Sequence, residues 1–337
     1  MQTNKSVKIA FYLFVLGLVT LIVTILRNPV KQEYTTTEVL GSSTNLSFFV
    51  EPDDGLDPVL SQLQSAQKEI LVEVYLLSDP TVIAKLKEKD LLGAQVKVML
   101  EEHPFGGAGL NQKTKPDLES AGVEVRWTNP YFSLTHEKAF VIDGQIVCIL
   151  NMNLTKSAFT SNREYNLCSV DQTLASEVKN IFTADWNRTG YQSNVTNLVV
   201  SPDNARGKIT ALIKSATYSL DIVMEAATDP EIINLLTQMS QKIPVRVIFP
   251  TITKMKANEP TVNQLRSAGA LVKTLGSPYP HAKLIIADQS RGYLGSVNFT
   301  SQSLDRNREL GLLFSQADAV ERFRNIFESD WQKATSL

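Results

Sequence analysis

The chain has 337 residues, 43% of them apolar, and its 33 basic and 35 acidic side chains leave a net charge of −2. That length supports one large or two ordinary domains, and the charge lacks the basic excess of a protein that grips nucleic acid non-specifically. Cys148 and Cys168, the two cysteines, form no CxxC or Cys/His spacing, so a zinc module is excluded.

Read in chain order, the first 31 residues carry four bases, Lys5, Lys8, Arg27 and Lys31, and no acid, around the uncharged run Ile9–Leu26. At helical rise this run spans the ~30 Å of bilayer hydrocarbon. A cleaved leader has a shorter apolar core of about 7–15 residues and a small-residue cleavage site. Residues 1–31 therefore read as an uncleaved single-pass anchor held in the membrane through residues 9–26. A slight bias of flanking charge puts the N-terminus inside and the bulk of the chain outside the cytoplasm. Without the anchor, 29 basic and 35 acidic residues remain, a charge of −6. A Thr/Ser-rich linker occupies 32–45, and a second polar linker, NRTGYQSNVTN, lies at 187–197.

Between and after these linkers the chain is written twice. At a constant offset of 145 residues His136 matches His281, Lys138 matches Lys283, Asp143 matches Asp288, and Asn153 matches Asn298. The same offset pairs Thr155 with Thr300, Asn162-Arg163-Glu164 with Asn307-Arg308-Glu309, and Phe182, Asp185 and Trp186 with Phe327, Asp330 and Trp331. Upstream the offset is 150, pairing Ser78-Asp79-Pro80 with Thr228-Asp229-Pro230 and Glu51 with Ser201. The five-residue difference is expected near the loop Glu101–Gly109. Units of about 145 residues suit a duplicated domain rather than a solenoid, and give two repeats over 46–190 and 191–337.

In the second repeat the predicted elements are a strand at 197–201, an amphipathic helix at 203–216, a strand at 218–225, and a helix at 229–240 opened by Asp229 and Pro230. A strand at 245–250, a helix at 257–270, and strands at 271–275, 284–287, 291–296 and 308–315 follow, closed by a helix at 317–334. The first repeat keeps this rhythm. Alternating strands and helices predict an α/β fold with each sheet covered on both faces. Cys148 and Cys168 both fall in predicted strands, where a cross-strand disulfide and two buried thiols are equally open.

Two of the three histidines head the same pattern. His281 and Lys283 are two apart at the start of the apolar run Leu284–Ala287, so they share one strand face, and a buried polar pair is costly unless it is used. His136 and Lys138 repeat the arrangement; His103 has no such partner and is assigned to a surface loop. A phosphodiester site explains the doubling. One neutral imidazole attacks phosphorus, and a protonated imidazole on the far side gives its proton to the leaving oxygen. Lys138, Lys283, Asn153 and Asn298 are the candidates to surround the non-bridging oxygens. Glu164 and Glu309 are candidates to hold a ring Nδ1–H and leave Nε2 free. Asp143 and Asp288, about 17 Å along a strand from the lysines, read as structural. A metal hydrolase is disfavoured, since the adjacent lysines repel a cation, and no metal or cofactor is expected. Trp186 and Trp331 read as core anchors, and PFGGAG at 104–109, which lacks the following Lys-Ser/Thr of a nucleotide loop, as a lid or turn. Glu225, the counterpart of Tyr75, is open between a site carboxylate and a solvated one.

HxK with Asp five residues beyond the Lys, then Gly295-Ser296-Val297-Asn298, then Asn307-Arg308-Glu309, all of it doubled, resembles the paired signature of the phospholipase D superfamily over residues 46–335. The resemblance implies two tandem α/β/α sandwich repeats related by a pseudo-twofold axis, with the active site at their junction and each glutamate orienting the histidine of the opposite half. It implies His136 as nucleophile, forming a phosphohistidine, His281 as acid, and Ser296 as a further phosphate contact. Leu150-Asn151-Met152-Asn153 departs from the Gly-Ser pattern, with Asn151 as a replacement donor. The expected function is a metal-independent phosphodiesterase that hydrolyses or transfers phospholipid head groups. The alternatives are a nuclease, a phosphatidyltransferase like the cardiolipin synthases, and a non-catalytic lipid- or phosphate-binding protein. Because duplication supplies both halves, no protein partner is needed to complete the site.

Overall fold

A computed structural model describes residues 46–107 and 109–337. The anchor expected over residues 9–26 and the linker at 32–45 lie outside the described residues. Among those described, no helix is long and apolar enough to cross a membrane.

The first repeat runs β1 (Leu46–Glu51), α1 (Asp57–Ser65), β2 (Glu69–Val74), α2 (Pro80–Leu91), β3 (Gln95–Leu100), α3 (Leu110–Glu119), β4 (Glu124–Trp127), β5 (Lys138–Ile142), β6 (Ile146–Ile149), α4 (Lys156–Thr160), β7 (Asn162–Ser169) and α5 (Gln172–Asn187). The second runs β8 (Leu198–Ser201), α6 (Ala205–Lys214), β9 (Leu220–Met224), α7 (Pro230–Ser240), β10 (Val245–Pro250), α8 (Glu259–Ser267), β11 (Leu271–Leu275), β12 (Tyr279–Pro280), β13 (Lys283–Ala287), β14 (Arg291–Gly295), α9 (Ser301–Asp305), β15 (Glu309–Phe314), α10 (Ala317–Lys333) and β16 (Thr335–Ser336).

The two sheets have the same strand order, β1-β7-β6-β5-β2-β3-β4 and β8-β15-β14-β13-β9-β10-β11. In each, three parallel strands with helical crossovers continue into antiparallel hairpins. Val59, Leu63 and Leu86 pack helices α1 and α2 on the outer face of the first sheet, and Ile209, Leu236 and Leu265 do so for α6 to α8 on the second. The inner faces share one core, in which Phe182 of α5 and Phe323 and Phe327 of α10 meet residues of both sheets. Each sheet is thus covered on both faces, and the halves are fused by an apolar layer.

Much of the repeated signature explains itself locally. Asp79 and Asp229 cap α2 and α7, accepting from Thr81 and Val82 and from Ile232 respectively, with proline at the first helical position. Thr155 and Thr300 cap the five-residue helices α4 and α9, which the sequence reading missed because one turn carries no period. Asp143 and Asp288 sit at positive φ in the hairpins. Their carboxylates accept from the amides of Gln67, Lys68 and Glu69 and of Thr217, Tyr218 and Ser219. Both pin the hairpin to the start of the neighbouring strand, at the end away from Lys138 and Lys283.

The five-residue difference between the repeats is split. Asn111 and Asn258 perform the same task, donating from Nδ2 to the carbonyls of Tyr75 and Glu225 at the ends of β2 and β9. They are 147 apart, so three extra residues precede Asn111 in the loop after β3, and two more fall before His136.

Cys148 and Cys168 face each other on β6 and β7 and form a disulfide. Trp186 stacks on Phe182 and Trp331 on Phe327, with the Arg126 and Arg246 guanidinium groups over the indoles.

Candidate active site

The site lies where the two HxK strands enter the sheets, and the backbone explains why it needs both halves. The His136 and Glu137 amides donate to the Arg308 carbonyl of the other repeat, at 2.8 and 3.1 Å. Reciprocally, β12, just ahead of His281, pairs in parallel with β7, Tyr279 opposite Asn162. Each histidine is therefore delivered beside the Asn-Arg-Glu strand of the opposite copy.

The glutamates complete the exchange. His136 Nδ1 is 2.8 Å from Glu309 Oε2, and His281 Nδ1 is 2.7 Å from Glu164 Oε1. Both carboxylates are wholly buried, while the rings keep 13% and 12% of their side-chain surface exposed. Engaging Nδ1 in this way presents Nε2 to the opening. Asn162 and Asn307 donate to Glu164 and Glu309. Burial raises Glu309, but His136 and Lys138 overcome it and hold the carboxyl below its ordinary value.

Arginine in the Asn-Arg-Glu motif turns to the other face. Arg163 bonds Asp330 at 2.6 Å and Arg308 bonds Asp185 at 2.8 Å, each buried pair joining one repeat to the last helix of the other. The repeated Asp185 and Asp330 are thus inter-repeat ties.

Lys138 and Lys283 are completely buried. Each Nζ donates to the carbonyl of its own histidine, which fixes the ammonium with two N–H groups left. Beyond this the two sides differ. Lys138 faces the Tyr75 ring at 5.1 Å, and His136 meets the same ring edge-on at 4.8 Å between centroids. On the other side Glu225 Oε2 is 2.8 Å from Lys283 Nζ and 3.5 Å from His281 Nε2.

The electrostatics follow the asymmetry. Burial, with the Lys138 charge beside it, lowers His136 to about 4 against the pull of Glu309. Burial lowers Lys138 to about 7. Burial also works to raise Glu225, yet the His281 and Lys283 charges hold it at about 2. Glu225 is therefore a site carboxylate rather than a solvated one. Its sequence signal was its position at the end of the strand expected at 218–225, where the first repeat has Tyr75.

The other four candidate phosphate contacts, Ser296, Asn298, Asn153 and Asn151, have these surroundings. Ser296 is fully buried; its hydroxyl donates to the Leu310 carbonyl and accepts the Leu310 amide, so it braces the strand that carries Glu309. Asn298 Oδ1 accepts the Ala226 amide at 3.2 Å, whereas Asn153 Oδ1 is buried with no hydrogen-bond partner. Asn151, expected as a substitute donor to phosphate, instead accepts the Lys283 amide at 3.2 Å and donates to the Gly295 carbonyl. The departure in the first motif is thus a stitch between repeats: the amide reaches two backbone groups of the other half, which serine is too short to do.

Glu309→Gln keeps the shape of the site but removes the charge that fixes the His136 tautomer. It is expected to lower kcat by about 10²-fold or more with an unchanged circular dichroism spectrum and urea midpoint.

The chain is similar to known proteins over both repeats. A family model described as "Cardiolipin synthase, PLD-like domain" matches residues 59–186 and 209–331. Cardiolipin synthase 1 of Bacillus anthracis is 20% identical over an alignment covering 87% of this chain and 68% of that protein. Among solved structures, phosphatidylserine synthase from Haemophilus influenzae superposes with a TM-score of 0.68 at 12% identity, covering 91% of this chain and 89% of that one. Polyphosphate kinase from Porphyromonas gingivalis gives 0.70 at 15% identity, covering 92% of this chain, which spans about half (52%) of the kinase chain. These two superpositions concern the fold alone.

Proposed function

Since the chain belongs to the phospholipase D-like family of the cardiolipin synthase type, we propose that it is a phosphodiesterase and phosphatidyltransferase that removes the head group of a phospholipid and passes the phosphatidyl group to water or an alcohol. The observation that carries the assignment of roles is the unequal setting of the two histidines. Burial beside Lys138 and the Tyr75 ring keeps His136 neutral and nucleophilic, while the Glu225 carboxylate stands 3.5 Å from His281 Nε2.

His136 Nε2 attacks phosphorus, the bond from phosphorus to the head-group oxygen breaks, and His281 gives its proton to that oxygen. A phosphatidyl-His136 adduct results. His281, now neutral, accepts a proton from water or an incoming alcohol, whose oxygen attacks phosphorus as the P–N bond breaks. Lys138 and Lys283 meet the non-bridging oxygens and stabilise the five-coordinate transition state.

On this reading residues 1–31 hold the enzyme at its substrate through the apolar run Ile9–Leu26, with the repeats at 46–190 and 191–337 outside the cytoplasm. The disulfide on β6 and β7 supports an oxidising compartment.

The pH dependence follows from the site. Besides the proton on His281, catalysis requires neutral His136, near 4, and charged Lys138, near 7. kcat/KM should therefore rise as pH passes about 4 and fall as it passes about 7. Arginine does not deprotonate in this range, so the falling limb should move upward in Lys138→Arg.

The test uses the full chain with phospholipid vesicles and labelled single-stranded DNA in parallel, with chelator present, alongside His136→Ala. Head-group release or exchange that the variant lacks supports the proposal. DNA cleavage with intact lipid would replace it with a nuclease.

A further inference from the structure

Glu225 has no counterpart in the first repeat, where Tyr75 stands in its place, and the tautomer-fixing contacts of the histidines do not need it. It is nonetheless held in place by its neighbours. Its amide donates to the Ala282 carbonyl at 3.0 Å, its carbonyl accepts from Asn258 Nδ2 at 2.8 Å, and Tyr279 OH donates to Oε1 at 3.4 Å. Oε2 is 2.8 Å from Lys283 Nζ and 3.5 Å from His281 Nε2, and the side chain keeps 15% of its surface exposed.

The position carries a consequence for the alcohol half of the substrate. A general acid must come within about 3 Å of the oxygen it protonates, so the head-group oxygen docks against His281 Nε2. Atoms one or two bonds farther along the alcohol then lie beside Glu225. An ionised carboxylate only accepts hydrogen bonds, and like charges brought together in a largely buried site repel strongly. The two sides of the phosphate are thereby unequal: an aromatic wall behind the nucleophile and an anionic wall beside the alcohol.

We propose that Glu225, with Tyr279 beside it, forms the alcohol subsite and selects head groups and acceptors that offer a hydroxyl or ammonium donor, rejecting those that carry a second anion. The direction of discrimination rests on the phosphodiesterase reading given above and on His281 as the proton donor.

The full chain and Glu225→Gln would be compared on vesicles of phosphatidylethanolamine and of phosphatidylserine, whose head groups differ only by a carboxylate. Competitive binding of soluble glycerophosphoethanolamine and glycerophosphoserine would be measured in the same proteins. The wild type should prefer the ethanolamine head group in turnover and in binding, and Glu225→Gln should reduce that preference by at least about tenfold, a change expected for removal of one close like charge. A variant that scales both substrates equally would overturn the proposal, since Glu225 would then act only through His281 and Lys283. Absence of vesicle turnover by the wild type would count against the lipid reading, while the ratio of soluble-diester affinities would still support or overturn the selective role of Glu225.

Discussion

Replacing His136 with alanine is expected to abolish turnover, by at least about 10³-fold, because the covalent route loses its attacking atom. His281→Ala should behave differently. With a natural lipid it is also inactive, since an alkoxide leaves poorly without a proton. With a p-nitrophenyl phosphodiester, whose leaving group departs unprotonated, it should still form the adduct and then release it slowly. Mass spectrometry of the quenched variant should find the added mass on the peptide containing His136. Finding it in His136→Ala on the peptide containing His281 would reverse the two roles. The expected direction comes from surroundings that the structure makes unequal: the Tyr75 ring and Lys138 beside one imidazole, Glu225 beside the other.

Arg308→Met is expected to lower the free energy of unfolding by about 3–5 kcal/mol, the loss seen when one partner of a buried ion pair is removed. Arg308 is 3% exposed and Asp185 2%, and their contact at 2.8 Å ties the second repeat to the last helix of the first. The guanidinium also lies among acids that burial already raises, with Glu137 at about 8 and Glu73 well above its ordinary value. Burial already raises the Asp185 carboxyl with Arg308 beside it, and losing Arg308 would leave it unmatched in the shared core. The double variant Arg308→Met with Asp185→Leu should recover much of the loss, because the carboxyl left without its partner is then removed as well, and urea midpoints of the three proteins would measure it. Equal midpoints in the wild type and the single variant would show that the tie contributes nothing to stability.

These two expectations draw on different layers of the same motif. In Asn-Arg-Glu the glutamate points to the site and the arginine to the opposite face, as alternation along a strand requires. Both contacts cross to the other repeat. Duplication here has made two halves that share one apolar core and that each hold only part of the site.

The sequence by itself determined the duplication, the α/β alternation, and the His, Lys, Asn and Glu positions, because in-phase repetition survives in the order of residues and strand periodicity puts His and Lys on one face. It also separated Asp143 and Asp288 from the chemistry, since strand rise sets their distance from the lysines. The exchange of glutamates came only through family resemblance, as His136 and Glu309 are 173 residues apart and His281 and Glu164 are 117 apart. Tertiary structure alone decided four things: that Glu225 faces His281 while Tyr75 covers His136, that Asn151 stitches the repeats, that Ser296 braces Glu309, and that the cysteines are joined. Each depends on which side chains of distant segments meet in three dimensions. Local pattern cannot encode this, because what equivalent positions such as Tyr75 and Glu225 face is set only when the fold brings distant segments against them.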